Sequence, residues 1–432
     1  MAKQMQYAIC RPAANSLHRA ADTLEQHGLH WLKFGNEYFC HSADPAMAVD
    51  WSKIEAVHAG LNPRTRRSGP SDTGSLYLVT QEGRLFQRAY PDVPVLFDKG
   101  RYLVVSLDPR GVSKIVKHEG RFSIRPAKKN EIVFETLARP TAAARVDERI
   151  KRIVDAISRD SFAATLAKLA SHPTRHSLTS HFQDAVREMR DRLQSMGYQV
   201  SFQDVRMAGG NTSNIIADKR GLAGGTRSVT LVTAHLDSVN HPAHGPDDPA
   251  APAPGADDNG SGSVGVVEIA RVLKDQSSTQ DLRLILFGGE EQGLFGSKHY
   301  VRQLPAAERA LIKSVVNMDM IAVLNTNSPT VLLEGGDPVS KNVIAGLSSV
   351  AHTYTKLTVN TSLEPHDSDH VPFIGAAVPA VLTIEGNDDA NHNIHSANDT
   401  LNHINHDLAL EILRMNTAYV AGEIGVQISL MG

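Results

Sequence analysis

Beyond Ser228 the chain alternates between short apolar runs and stretches of helical spacing, all the way to its last helix. Residues 229–234, 282–287, 315–318, 331–333 and 380–384 have the length and branched apolar content of buried strands. Helical patterning falls between and after them, at 260–273, 293–301, 339–352 and 408–426. Strands that alternate with helices pair side by side, with the helices covering both faces. The expected fold class is therefore α/β, a mostly parallel mixed sheet with helices on both faces. Sheets of this kind place ligand sites at the carboxyl ends of strands, near the point where strand order reverses.

The upstream sequence adds further elements. Phe182, Val186, Met189, Leu193 and Met196 recur at steps of three and four, which marks one buried helix face over 180–196. Gly197 follows where helices commonly end. Strands are expected at 199–205 and 214–218. Residues 1–140 read differently. They hold short β-type runs such as 76–80 and 102–107, separated by Gly, Pro and Asp, and no chemical motif. Residues 61–74, rich in Arg, Ser and Gly, read as an exposed loop, and Pro140-Thr-Ala-Ala-Ala reads as a linker. A chain of 432 residues exceeds one ordinary core. The expected division is a small β-rich accessory or propeptide-like domain at 1–140 and a site-bearing domain at 141–432.

Acids and imidazoles follow the apolar runs directly. His235 comes after Leu-Val-Thr-Ala, Glu290 and Glu291 after Leu-Ile-Leu-Phe-Gly-Gly, and Asp319 after Val-Val-Asn-Met. Three separate strands thus deliver ligand-type groups to one edge of the sheet. Asp258, in Pro-Gly-Ala-Asp-Asp-Asn-Gly-Ser-Gly at 254–262, and His395, in the loop before the last helix, complete the set. Two imidazoles and three carboxylates without a thiolate suit zinc, and also cobalt or manganese. Three crowded carboxylates repel unless cations neutralise them, and two dications bridged by one carboxylate, Asp258, balance the charge better than one. Of the adjacent glutamates, Glu291 is assigned as ligand and Glu290 as general base. Taken alone, the pair equally fits solvated charges before a helix. Asp237 fits either a partner that orients His235 or a solvated loop acid. Asp399 fits either a cap on the last helix or indirect support of the site. His241, His244, His392, His403 and His406 read as ordinary solvated or structural histidines. Gly260-Ser-Gly262-Ser-Val-Gly265 imitates a dinucleotide fingerprint. It does not follow a strand, and its phosphates would meet Asp257 and Asp258. Its glycines read instead as room for close helix packing.

Composition narrows the remaining classes. The formal net charge of −3 predicts neither a nucleic-acid surface nor an anionic-membrane surface. Cys10 and Cys40 are the only cysteines, which leaves no disulfide framework and no cysteine-based zinc site; two free thiols are expected, with a single Cys10–Cys40 pair as the alternative. No stretch reaches the roughly 20 apolar residues of a membrane-spanning helix. The first residues lack the pattern of a signal peptide. The expectation is a cytoplasmic protein, or a secreted or periplasmic one if the true start lies upstream.

With these residues placed, the chain from about Val146 to its end resembles the co-catalytic zinc aminopeptidases, the group of the bacterial leucyl aminopeptidases and aminopeptidase Y. The likeness rests on His-Leu-Asp-Ser at 235–238, the 254–262 segment, Gly-Glu-Glu-Gln-Gly-Leu-Phe-Gly-Ser at 289–297, Asn-Met-Asp-Met at 317–320, Ser-Asp-His-Val-Pro-Phe at 368–373 and Ile-His-Ser at 394–396. It implies two zinc ions per chain. His235, Asp258 and Asp319 would hold one, and Asp258, Glu291 and His395 the other. It also implies Glu290 as the base acting on a bridging water, Asp237 as the acid behind His235, and a cis peptide after Asp258. Residues are then expected to be removed from peptides with a free N-terminus. Relatives often carry a tyrosine before Ser-Asp-His that assists the oxyanion. Here the stretch is Glu-Pro-His-Asp at 364–367, so His366 is the candidate for that role, and it equally fits a solvated loop residue. Two rivals share the ligand types. A di-zinc carboxypeptidase or deacylase usually inserts a whole domain between the fourth and fifth ligands, whereas only 76 positions separate Asp319 from His395 here. A glutaminyl-cyclase-like enzyme would use one zinc.

Overall fold

The computed structural model describes residues 6–12, 17–42, 49–52, 54, 62–68, 75–107, 109–115, 122–141, 145–241 and 248–427. His244 and part of the expected linker, 142–144, lie outside these residues. The chain forms two compact units, 1–137 with 360–362 and 138–359 with 363–432.

The first unit is β-rich, as its sequence suggests. Leu29–Phe34 and Glu37–Ser42 form a hairpin turned by Gly35, whose φ of +60° suits glycine. Gln6–Arg11 pairs antiparallel beside Glu37–Ser42, and Glu131–Thr136 pairs parallel beside Leu29–Phe34. Both faces of this sheet are buried: Trp31, Tyr38 and Cys40 belong to one apolar cluster, Leu32, Phe34 and Phe39 to another. Four further antiparallel strands, in the order Val95–Lys99, Tyr102–Leu107, Ser75–Gln81 and Phe122–Pro126, form a second sheet. The expected loop at 61–74 is corrected in part. Asn62–Ser68 is a strand, antiparallel to Gln6–Arg11 and at the end of its sheet. An edge strand needs only one side of its backbone paired, and Pro63 falls at a register shift. Cys10 and Cys40 are buried free thiols.

The second unit carries the alternating pattern. Its helix Ser180–Ser195 starts at Thr179, whose side chain accepts a hydrogen bond from the Phe182 N–H, and it buries Phe182, Val186, Met189 and Leu193. Gly197 follows with φ +86°. The sheet runs Gln199–Met207, Gly210–Lys219, Asp281–Phe287, Val229–His235, Ile312–Met318, Ala380–Glu385 and Thr330–Gly335. The four strands from Asp281–Phe287 to Ala380–Glu385 are mutually parallel, and the flanking ones antiparallel. Val229–His235 lies between the next two parallel strands in the sequence, so strand order reverses beside it. Helices Gly260–Leu273, Phe295–Gln303, Lys341–Tyr354 and His406–Glu423 follow the expected segments closely. A Cβ on Gly262 would lie 2.6 Å from the Met318 carbonyl, and one on Gly265 3.1 Å from Met318 Sδ. The false dinucleotide fingerprint therefore serves close packing of helix on strand, as read.

Candidate metal centre

The strand ends bring the predicted groups together. His235 is the last residue of its strand, and Asp319 directly follows Ile312–Met318. Glu290 and Glu291 lie just past Asp281–Phe287, in a turn that Gly289 opens with φ +77°. Asp258 precedes the helix Gly260–Leu273. The Asp258–Asn259 peptide is cis, as the resemblance implied. Asn259 caps that helix by accepting the Gly262 N–H, and its amide donates to the Met318 carbonyl (2.9 Å). One asparagine thus ties the Asp258 loop to the Asp319 strand.

Asp258 stands between the two imidazoles. Its Oδ1 is 3.4 Å from His235 Nε2 and its Oδ2 is 3.0 Å from His395 Nε2. On one side, His235 Nε2 also faces Asp319 Oδ1 at 3.3 Å and Glu290 Oε2 at 3.9 Å. On the other, His395 Nε2 faces Glu291 Oε2 at 3.2 Å. Two groupings follow: His235, Glu290 and Asp319 on one side, and His395, Glu291 and Asp258 on the other.

The surroundings fix each group. Asp237 is fully buried, and its two oxygens accept the Glu290 and Glu291 N–H groups (3.3 Å each), with Oδ1 3.6 Å from His235 Nδ1. It therefore aims the first histidine and the glutamate turn together. Ser368 donates to Asp319 Oδ2 (2.7 Å) and accepts from Asn317. Asp399 does not cap the last helix, whose cap is Asn405. Its two oxygens accept the backbone N–H groups of Asp257 and Asp258 (3.0 and 2.9 Å), which supports the site indirectly. His366 is buried, and its N–H donates to Glu334 (2.9 Å). Among the described residues, the groups close enough to share a metal do not include it.

Arg175 is the main residue that the sequence did not reveal. Its guanidinium is wholly buried and donates to the carbonyls of Leu236 (2.9 Å), Pro254 and Gly255 (2.9 Å). It pins the His235 loop to the Asp258 loop and brings a positive charge near Asp399, Asp237, Asp258 and Glu291. An arginine in a loop has no periodicity or spacing to expose it; only the fold shows that it points inward. His241 was also missed. It is half-buried, and its ring meets that of His395 edge to face with centroids 4.5 Å apart. His392 and His403 are exposed, and His406 packs on Phe162, in line with their reading.

Electrostatics show a cluster short of positive charge. Burial pushes Glu290 well above the usual carboxylate range, opposed by His235 and reinforced by Asp319, Asp369 and Glu291. Burial and the Asp258 charge raise Glu291 to about 8. Burial also raises Asp258, but His235 and His395 outweigh it and hold that carboxyl below its ordinary value. Burial lowers His235, while Glu290 and Asp319 carry it well above its ordinary value.

The donor set fits a cation. Asp258 Oδ2 and Glu291 Oε1 are buried with no aligned hydrogen-bond donor. Donors about 2.0 Å from a tetrahedral zinc stand about 3.3 Å from one another. The imidazole and carboxylate atoms around Asp258, at 3.0–3.4 Å, already have that spacing.

Comparison with known proteins agrees in the same region. The model of peptidase family M28 matches residues 214–420, which carry all six of these groups. Leupeptin-inactivating enzyme 1 of Streptomyces exfoliatus is 34% identical over 205 residues, covering 46% of this chain and 42% of its own. Aminopeptidase YwaD of Bacillus subtilis is 33% identical over 181 residues, covering 41% and 37%. The chain thus spans about two fifths of the length of these relatives. The solved structure of BSAP, a zinc aminopeptidase from Bacillus subtilis, superposes with a TM-score of 0.55 at 18% identity, covering 62% of this chain and 96% of that one. That likeness concerns the fold.

Proposed function

We propose that this chain, whose residues 214–420 match the model of peptidase family M28, is a metallo-aminopeptidase that uses two zinc ions. The observation that carries the reading is Asp258, with one oxygen toward His235 and the other toward His395. His235, Asp258 and Asp319 would hold one ion, and Asp258, Glu291 and His395 the other. Bound there, two dications would polarise the scissile carbonyl and lower the pKa of a water. Glu290 takes the proton of the attacking water and passes it to the leaving amine. Asp237 keeps the Glu290 backbone and the His235 ring in place for that transfer. His366 is retained as a candidate donor to the developing oxyanion. We further propose that residues 1–140 are an accessory or propeptide-like domain.

The carboxypeptidase or deacylase reading has less support. The interval between Asp319 and His395 is filled by the unit's own strands Thr330–Gly335 and Ala380–Glu385 and helix Lys341–Tyr354, not by an inserted domain. The decisive experiment sets aminoacyl chromogenic substrates beside N-blocked ones, with metal counted in the same preparation. Cleavage of free-amine substrates alone and about two zinc-type ions per chain are expected. Cleavage of blocked substrates would defeat the aminopeptidase reading, and a single bound ion would favour the cyclase.

A further inference from the structure

The loop after His235 returns to the site. The His241 N–H donates to the His395 carbonyl (3.1 Å), which fixes His241 beside the last ligand. The two rings meet edge to face at 4.5 Å with planes 71° apart. One ligand atom each from His241, Glu291 and His395 lie within 4.8 Å of one another. Donors on a shared zinc-type ion stand roughly 3.3–4.2 Å apart, tetrahedral to trans. On a shared ion, His241 would bring its ring nitrogen into that range by a side-chain rotation.

We propose that His241 is a further ligand of the metal position formed by Asp258, Glu291 and His395. The assignment rests on the two-metal reading above and goes beyond it. It makes the two positions chemically unequal. The His235 side offers one imidazole among carboxylates, whereas the His395 side offers two imidazoles. A second nitrogen donor favours zinc, cobalt or nickel over the harder magnesium, calcium or manganese, which prefer oxygen. The His395 position therefore retains a zinc-type ion more tightly than its other three ligands alone would.

The test is metal retention in the full chain. Wild type, His241→Ala, His241→Gln and, as a control for loss of an exposed imidazole, His392→Ala are loaded with zinc. They are then titrated with a competing chelator while bound metal is counted. Cobalt-loaded samples are followed by visible absorption. Wild type and His392→Ala should release two ions at two chelator concentrations. Both His241 variants should release one of the two ions at about 10–100-fold weaker affinity. Their cobalt spectra should change in intensity as a nitrogen ligand is lost. Unchanged affinities and spectra in both His241 variants overturn the proposal while leaving the two-metal reading intact. If wild type binds one ion only, the two-metal reading fails by itself. The His241 assignment then stands or falls on whether its variants weaken that ion. Metal-free unfolding of each variant is measured alongside, and His241→Gln decides the matter if the alanine variant unfolds early.

Discussion

Single residues in this protein act by holding other residues. Glu290→Gln removes the proposed base and leaves the donor pairs around Asp258 in place. It should keep its metal and lose about 10²–10⁴-fold in turnover; full activity would remove Glu290 from its role. Arg175→Met should be more damaging to the fold, because three carbonyls, two of them buried, lose their donor and nearby carboxylates lose their countercharge. About 3–5 kcal/mol of stability should go, read by denaturant unfolding. His41 tests a site in the other unit. Burial, which the Ser42 carbonyl opposes and His30 reinforces, lowers its pKa to about 4. An unfolded histidine titrates near 6.5, so the unfolded chain takes up this proton first. The contribution of His41 is present above pH 6.5 and is lost as pH falls toward 4. Stability measured across that window should fall less steeply in His41→Gln.

At the scale of elements, the helix Gly260–Leu273 and the strand Ile312–Met318 set the spacing of Asp258 and Asp319. Two glycines at their interface give a graded prediction. A methyl on Gly262 would meet Asn259 Oδ1 at 2.3 Å and the Met318 backbone carbonyl at 2.6 Å, and neither can yield without moving the cap. Gly262→Ala should therefore cost about 1–3 kcal/mol and weaken metal retention. A methyl on Gly265 meets the ends of the Leu413 and Met318 side chains, which can turn away. Gly265→Ala, with its gain in helix propensity of up to about 1 kcal/mol, should be close to neutral. Equal unfolding midpoints for the two variants would show that the interface is not what positions Asp258. These elements were largely legible beforehand: the face from Phe182 to Leu193 and the apolar runs of the sheet lie where spacing put them. Asn62–Ser68 was not legible, because it is paired through its backbone and its side chains carry no apolar alternation.

For the whole molecule, the division into two units makes metal removal informative. The site groups all belong to the second unit. Chelation should lower the unfolding midpoint of that unit, whose buried carboxylates lose their cations, and leave the first unit's transition in place. A shift of both transitions together would show that the units unfold as one. The role proposed for residues 1–140 is checked by deletion. If their removal changes neither kinetics nor stability, an accessory or propeptide-like role fails.

The sequence by itself determined the α/β alternation and the order of the strands along the chain. It also singled out His235, Glu290, Glu291 and Asp319, because buried strands must be apolar and a charged or imidazole group directly after one is conspicuous, whereas Asp258 and His395 were picked out by the family resemblance of their segments. Tertiary structure alone decided how those groups are held. Asp399 reaches back to the Asp257 and Asp258 amides across more than 140 positions, and Arg175 joins two loops whose sequences say nothing of each other. His241 looked like any solvated loop histidine until the fold laid it on His395. Periodicity encodes which way an element faces. It does not encode which loops meet, since that depends on how the whole sheet twists and closes.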